Sequence, residues 1–137
     1  MTFSLIANYT YADAKEKRSC PPPATPYDTC IKDLVGASKN TYNAIAYYED
    51  YGFGARIAYN FRSHFFVGLD RSSPQYQDDT ATVSASLSYT LNKNISFSFE
   101  ALNINDPILK YYGANETQPR AFYANGRQYY FSVRVKL

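Results

Sequence analysis

The side chains that most often carry chemistry in proteins are scarce in this sequence. It holds one histidine, His64 in the segment FRSHFF, and two cysteines, Cys20 and Cys30. No serine or cysteine is arranged with His64 as a nucleophile beside its base, so we expect no enzymatic activity. One histidine and two widely spaced cysteines do not match a zinc site either, and we predict neither a metal nor a cofactor.

The two cysteines flank a proline-rich segment, RSCPPPATPYDTC, which has neither helical nor strand periodicity. Two outcomes are open, a pair of free loop thiols or a disulfide between Cys20 and Cys30. We favour the disulfide, which would place this segment in an oxidising compartment such as the periplasm or the cell surface.

The composition narrows the fold class. The chain has 137 residues, enough for one domain, and its formal net charge of +2 is too small to predict a nucleic-acid partner. Its 15 tyrosines and 9 phenylalanines favour β-strands. No apolar run approaches the roughly 20 residues of a membrane helix. Strands that alternate apolar and polar residues, however, can cross a membrane with a near-neutral mean hydropathy.

Six segments alternate apolar and polar residues with a period of two, which is typical of β-strands with two different faces. In the fourth, one face is apolar and the other carries four small hydroxyl residues. The segments are TFSLIANYTYA, TYNAIAYYE, FGARIAYNFRS, TVSASLSYTL, ISFSFEA and the closing QYYFSVRVKL.

The connections between these segments alternate between short and long. Residues 49–52 and 92–94 are short enough for tight antiparallel hairpins. Residues 13–38, 66–79 and 106–126 are long and rich in Pro, Gly, Asp and Asn, so we predict loops there.

The polar face carries charged residues, among them Arg56, Arg62 and Glu100, that do not belong in the dry core of a small soluble protein. A soluble β-protein whose core is the apolar face stays open as an alternative. The loop asymmetry favours a transmembrane antiparallel β-barrel with lipid on its apolar face and a water-filled lumen on the other. Aromatic residues near the strand ends also favour a transmembrane barrel, because such barrels carry aromatic girdles at both membrane interfaces. These residues are Tyr48, Phe53, Tyr89 and Tyr129.

Four pieces of the sequence resemble one family. They are SKNTYNAIAYYEDYGFGARIAYNFRS, LSYTLNKNISFSFEALNIND, ILKYYG and NGRQYYFSVRVKL. With the closing GRxYxxxVRxK pattern they resemble the C-terminal barrel of TonB-dependent outer-membrane receptors, most closely the proteobacterial subfamily that includes carbohydrate receptors. Two positions depart from the pattern: Leu137 stands where the family usually has Phe, and Ser132 where Gly is common.

The resemblance implies that residues 1–137 form the last six strands of a roughly 22-stranded plugged barrel, without its plug domain and N-terminal strands. Residues 1–18 show no signal peptide, so the chain is expected to be either cytoplasmic or a piece whose export signal lies elsewhere. Six strands are too few to close a barrel, for which about eight are needed. The implied partners are the rest of the receptor, TonB through the missing N-terminal part, and outer-membrane lipid and lipopolysaccharide.

The resemblance also implies active uptake of a large nutrient, an oligosaccharide or a ferric siderophore, from outside the bacterial outer membrane into the periplasm. Tyrosines of the long connections would suit sugar stacking or, as an alternative, the membrane interface itself. Arginines would suit anionic ligands such as ferric siderophores or lipopolysaccharide phosphates. His64 is expected at the rim of the lumen. The candidate ligand-binding residues are Tyr27, Arg62, His64, Arg71, Tyr76, Tyr111, Tyr112, Arg120, Phe122 and Tyr123.

Two further expectations stay open. Glu100 points into the lumen and can pair with a neighbouring arginine such as Arg56, as a structural ion pair or in a transport role. The alternative to a receptor is a self-contained small β-barrel or β-sheet protein with a binding or structural role. Such a protein would close by association of several copies or fold as a soluble β-protein.

Overall fold

The computed structural model describes residues 1–17, 19, 30–71 and 73–136. These residues form ten strands in two antiparallel sheets, and none of them lies in a helix that could span a membrane. The strands are β1 (Thr2–Tyr11), β2 (Asn40–Asp50), β3 (Phe53–Arg62), β4 (Phe65–Asp70), β5 (Ser73–Gln77), β6 (Thr80–Thr90), β7 (Ile95–Leu102), β8 (Ile108–Tyr112), β9 (Pro119–Ala124) and β10 (Gln128–Val135).

The larger sheet, called the main sheet here, has the order β1-β2-β3-β6-β7-β10. Its strands are the six alternating segments, so their prediction as strands of one antiparallel sheet is confirmed. The register keeps the two faces apart across all six strands. Arg56 lies opposite Ser86, which lies opposite Glu100, and all three share the polar face. Ile57 lies opposite Ala85, which lies opposite Ala101, and all three share the apolar face.

Among the residues that the structure describes, no layer of protein packs over the apolar face of the main sheet. Leu5 and Phe131 are each 68% exposed, and Val135 is 61% exposed. The sheet is also open among the described residues, since β1 and β10 each have one neighbouring strand. A contiguous exposed apolar face of this kind is typical of a surface that meets lipid or another protein.

The short turns lie together at one end of the main sheet. The β2–β3 turn has positive φ at both central residues, 42° at Tyr51 and 80° at Gly52, as in the type I′ turns that suit the strand twist. The described chain ends lie at the same end. The Met1 amino group is 3.0 Å from Oδ1 of Asp50, and the Lys136 amide donates to the Asn94 carbonyl at 2.7 Å.

We expect Gly52→Ala to destabilise this turn by about 1 to 3 kcal/mol, because an L-residue strains at this φ. A Cβ there would also lie 3.0 Å from the backbone carbonyl oxygen of Thr90. The measurement is the midpoint of thermal unfolding in detergent. Gly126→Ala is the matched control, since Gly126 has φ 74° but no atom within 4 Å of an added Cβ. An equal loss in both variants would show that the contact with Thr90 contributes nothing.

The smaller sheet corrects the prediction of loops over residues 66–79 and 106–126. These segments contain the hairpins β4–β5 and β8–β9, which join side by side through β5 and β8 in the order β4-β5-β8-β9. We call this unit the hairpin sheet. Because β4 follows β3 directly and β5 leads into β6, it lies at the end of the main sheet opposite the short turns.

The sequence hides these hairpins for a physical reason. Their strands are only five or six residues long, and β5 and β9 contain prolines. A bulge between Phe66 and Gly68 and another between Tyr111 and Tyr112 interrupt the alternation that marks a strand. Each hairpin gains its stability from its neighbour and from packing, which local sequence does not report.

Candidate ligand-binding surface

One face of the hairpin sheet is packed. Phe66, Tyr76 and Tyr112 form a row of rings, the aromatic ladder, with 5.6 Å between the centroids of each neighbouring pair. Tyr76 and Tyr112 are stacked with an interplanar angle of 19°. Tyr112 is only 6% exposed, so its ring has no free face for a ligand. The structure shows Tyr112 packed within the ladder, and direct contact of this residue with a ligand stays a prediction.

Burial also raises the pKa of the two tyrosine hydroxyls in the ladder. Loss of contact with water, with a smaller effect of the carboxylates of Asp78 and Glu116, raises the pKa of Tyr112 to about 12. Burial raises the pKa of Tyr76 as well, and Asp33 adds to the effect. Both phenols are therefore harder to ionise than a tyrosine in water, as expected for side chains on a packed face.

The opposite face of the hairpin sheet is open, and we call it the tyrosine face. Tyr111 and Tyr123 meet edge to face with their centroids 5.5 Å apart. The Tyr111 hydroxyl donates to Oε1 of Gln77 at 3.0 Å. A depression of about 400 Å³ lies here. It is lined by Gln75, Leu109, Tyr111, Ala121, Tyr123 and Asn125.

The two hairpins meet along a short line, which we call the seam. Only two residue pairs form it, Tyr76 with Tyr112 and Gln77 with Tyr111. Below these pairs the Asp78 amide donates to the Lys110 carbonyl at 2.8 Å, and the two side chains form an ion pair at 3.4 Å. The tyrosine face crosses the seam, since its glutamines belong to β5 and its tyrosines to β8 and β9.

The predicted arginines do not gather at the tyrosine face. Nη1 of Arg120 lies 4.0 Å from Oδ2 of Asp70 and so joins the tips of the two hairpins. Arg71 lies in the β4–β5 turn with φ 47°. Their assignment as ligand residues stays a prediction.

Arg62 holds the described part of the first long connection against the base of the hairpin sheet. Its Nε donates to Oγ of Ser38 at 2.6 Å, its Nη2 donates to the Gly36 carbonyl, and its guanidinium lies 3.8 Å from the centroid of Phe65. The Gly36 amide in turn donates to the Phe66 carbonyl at 2.8 Å. This guanidinium is engaged on several sides, as a planar fork over a ring can be.

We expect Arg62→Lys to loosen the segment around Gly36, because a lysine ammonium cannot reproduce two divergent hydrogen bonds and the stacking on Phe65. The amide of Gly36 should then exchange with deuterium about tenfold faster, as expected for a loss of one to two such interactions. Arg71→Lys is the control at an exposed turn and should leave this exchange unchanged. Equal exchange rates in Arg62→Lys and the parent protein would contradict the role of Arg62 in holding the segment around Gly36.

His64 lies at the junction of the two sheets, between β3 and β4. Its amide donates to Oδ1 of Asp79 at 2.6 Å, and its ring Nδ1 is 3.3 Å from the same oxygen. The His64 side chain is exposed. Its contacts with Asp79 join the residue before β4 to the residues after β5, at the base of the β4–β5 hairpin. A direct role in ligand binding stays a prediction.

The polar face of the main sheet does not form the ion pair considered between Arg56 and Glu100. Ser86 stands between them in the register, and the ion pairs found in the described residues do not include either side chain. Two strand spacings, roughly 9.6 Å, separate their backbones. Both line a depression of about 120 Å³ on this face. Nearby, Nδ2 of Asn43 donates to Oδ1 of Asn60 at 2.5 Å.

Three predicted positions fall outside the described residues: Cys20, Tyr27 and Leu137. The disulfide between Cys20 and Cys30 therefore stays a prediction. Within the described ranges, no group of three or more His, Cys, Asp or Glu residues could hold a metal ion. Sequence reasoning missed Gln75, Gln77 and Asn125, although the alternation of SPQYQ places both glutamines on one face.

The fold and this surface define a class of protein, an open two-faced antiparallel sheet of the barrel type that carries extended hairpins at one end. The family model described as "TonB dependent receptor-like, beta-barrel" matches residues 1–104, and the chain belongs to this family. The family is typical of the bacterial outer membrane and functions there in receptors. Comparisons with curated proteins and with solved structures gave no match.

Proposed function

We propose that this chain is the C-terminal barrel portion of an outer-membrane receptor that takes up a large nutrient, an oligosaccharide or a ferric siderophore, into the periplasm. Uptake would be energised through TonB and would involve no enzymatic step. The family match over residues 1–104 supports the receptor class. The residues beyond the match extend the same sheet, because β10 pairs with β7 along its whole length from Gln128 to Val135.

The main sheet supplies six strands of a larger plugged barrel in this proposal. The open edges of β1 and β10 would pair with the other strands of the receptor, because unpaired backbone groups are not tolerated in lipid. The apolar face would meet lipid and, at its outer end, lipopolysaccharide, while the polar face would line the lumen beside the plug. Ten residues, the length of β1 and β3, are enough to cross a bilayer when tilted.

The observation that carries the proposal is the difference between the two ends of the main sheet. One end has short turns, as the periplasmic end of such barrels does, and the other carries the hairpin sheet. The hairpin sheet would therefore lie outside the cell, where a ligand arrives first.

Cysteine labelling in whole cells tests this orientation. In the receptor with Cys20 and Cys30 replaced by serine, Glu116→Cys at the β8–β9 tip should react with a membrane-impermeant maleimide in intact cells. Lys93→Cys at the β6–β7 turn should react only after lysis. The reverse pattern, or labelling of both in intact cells, would contradict the proposal.

Energised uptake is tested separately. Cells that produce the receptor should lose uptake of its nutrient when a protonophore collapses the proton-motive force, and retain binding at the surface. Uptake that persists would contradict a TonB-dependent mechanism. A heat-modifiability gel, with native mass in detergent, distinguishes a barrel completed by the rest of a receptor from one built of several copies of this chain.

A further inference from the structure

We infer that the tyrosine face is a binding platform for a neutral oligosaccharide that lies across the seam between the two hairpins. The inference rests on the proposed receptor function, because it requires this face to lie outside the cell. It narrows the ligand from two classes to one and assigns the residues that contact it.

The first argument is the chemistry of the surface. Tyr123 is 55% exposed, so its ring can pack against the apolar C–H face of a pyranose while its hydroxyl stays in water. The ring of Tyr111 stands at 89° to it and forms the second wall of a corner. Amides of Gln75 and Asn125 border the depression. Each amide both donates and accepts hydrogen bonds, which matches sugar hydroxyls that do the same.

The second argument is charge. No Lys, Arg, Asp or Glu lines the depression. The basic side chains of β8 and β9 have acidic partners elsewhere, Lys110 with Asp78 on the packed face and Arg120 with Asp70 at the hairpin tips. An anionic ferric chelate would find no charge-assisted hydrogen bond on this face. A neutral ligand loses nothing by the absence of charge.

The third argument is position. The glutamines belong to the β4–β5 hairpin, whereas Tyr111 and Tyr123 belong to β8 and β9. A ligand in the depression therefore touches both hairpins. Among the described residues these are otherwise joined by two residue pairs, the polar contacts beside them and the ion pair of Arg120 with Asp70 at the tips. Contacts from both sides favour the closed seam, so ligand binding and seam closure must reinforce each other.

Binding to the whole receptor in outer-membrane vesicles tests the platform. The probes are maltoheptaose, cellohexaose, laminarihexaose and xylohexaose as neutral oligosaccharides, with ferric enterobactin as the anionic probe. We expect at least one neutral probe to bind and ferric enterobactin not to compete. Tyr123→Ala should weaken that binding about tenfold, and Gln75→Ala by a smaller factor, as expected for the loss of a ring contact or one hydrogen bond.

Phe122→Ala is the matched control. Phe122, also a candidate ligand residue in the sequence, is next to Tyr123 in β9 and similarly exposed at 61%. It pairs with Lys110 on the other face and does not line the depression. It should bind the probe as the parent does. A second readout is deuterium exchange at the Asp78 amide of the seam. At a probe concentration that saturates the parent but not the variant, the oligosaccharide should slow this exchange severalfold in the parent and less in Tyr123→Ala.

The outcomes separate the two proposals. Unchanged binding of a neutral probe by Tyr123→Ala, or an equal loss in Phe122→Ala, would overturn the platform and leave the receptor function intact. Binding of ferric enterobactin but of no neutral probe would overturn the ligand class alone, as would the absence of any binding while energised uptake of another nutrient persists. Inverted cysteine labelling or uptake insensitive to the protonophore would overturn the receptor function itself.

Discussion

Ile57→Arg is expected to destabilise the barrel of the proposed receptor by roughly 2 to 4 kcal/mol, the cost of placing an arginine near the bilayer midplane on the face proposed to meet lipid. Ile57 is the central residue of β3 and lies on the apolar face, 51% exposed, between Ala46 of β2 and Ala85 of β6. The cost is this high because lipid offers the guanidinium neither water nor a partner. The folded, heat-modifiable fraction recovered from outer membranes and its thermal midpoint in lipid vesicles measure the effect.

Ser84→Arg is the control for this prediction. Ser84 is next to the residue that pairs with Ile57 but lies on the polar face, opposite Ala58. An arginine there would face the lumen, which already carries Arg56 at a neighbouring level, so we expect little change. If Ser84→Arg were the more damaging of the two, the polar face rather than the apolar face would be the one shielded from water, which would contradict contact of the apolar face with lipid.

The main sheet was predictable because its physics is local and repetitive. Each strand has one apolar face, which must be kept from water, and one polar face, which must be hydrated. A shift of the strand register by one residue would exchange the two faces. The row from Arg56 through Ser86 to Glu100 therefore follows from alternation alone, once the short turns fix the hairpin register. What alternation does not give is side-chain partners, and the expected pair of Arg56 and Glu100 is not formed.

The hairpin sheet and its two faces were not predictable in the same way. Tyr111 and Tyr112 are chain neighbours and equally plausible ligand residues in the sequence, yet one borders an open depression and the other is buried in the aromatic ladder. As neighbours in β8 they point to opposite faces of the hairpin sheet, and which of these faces is packed depends on the pairing of β8 with β5 and β9. In the sequence, Arg62 is likewise a candidate for binding an anion. In the structure its guanidinium donates a hydrogen bond to the carbonyl of Gly36, 26 positions away, which local sequence does not report.

The same burial makes the hairpin sheet sensitive to high pH. We expect it to lose stability as the pH rises from about 10 to about 12, because the pKa of Tyr112 is raised from 10.0 to about 12. Below pH 10 the phenol is protonated in the folded and the unfolded hairpins alike, so the packing of the ladder contributes fully. Between the two values only the unfolded hairpins release the proton, which favours unfolding, by roughly 2 to 3 kcal/mol at the upper limit.

Tyr112→Phe should reduce this transition, because phenylalanine fills the same place in the ladder and has no proton to lose. The part that remains is expected to come from Tyr76, whose pKa burial also raises. The measurement is tyrosinate absorbance and near-ultraviolet circular dichroism of the receptor in detergent, followed from pH 9 to pH 12. Tyr123→Phe, which removes an exposed phenol from the opposite face, should leave the transition in place. A loss of ellipticity that is identical in the parent and in Tyr112→Phe would mean that another group causes it, and that the 6% exposure of Tyr112 does not describe the ladder in solution.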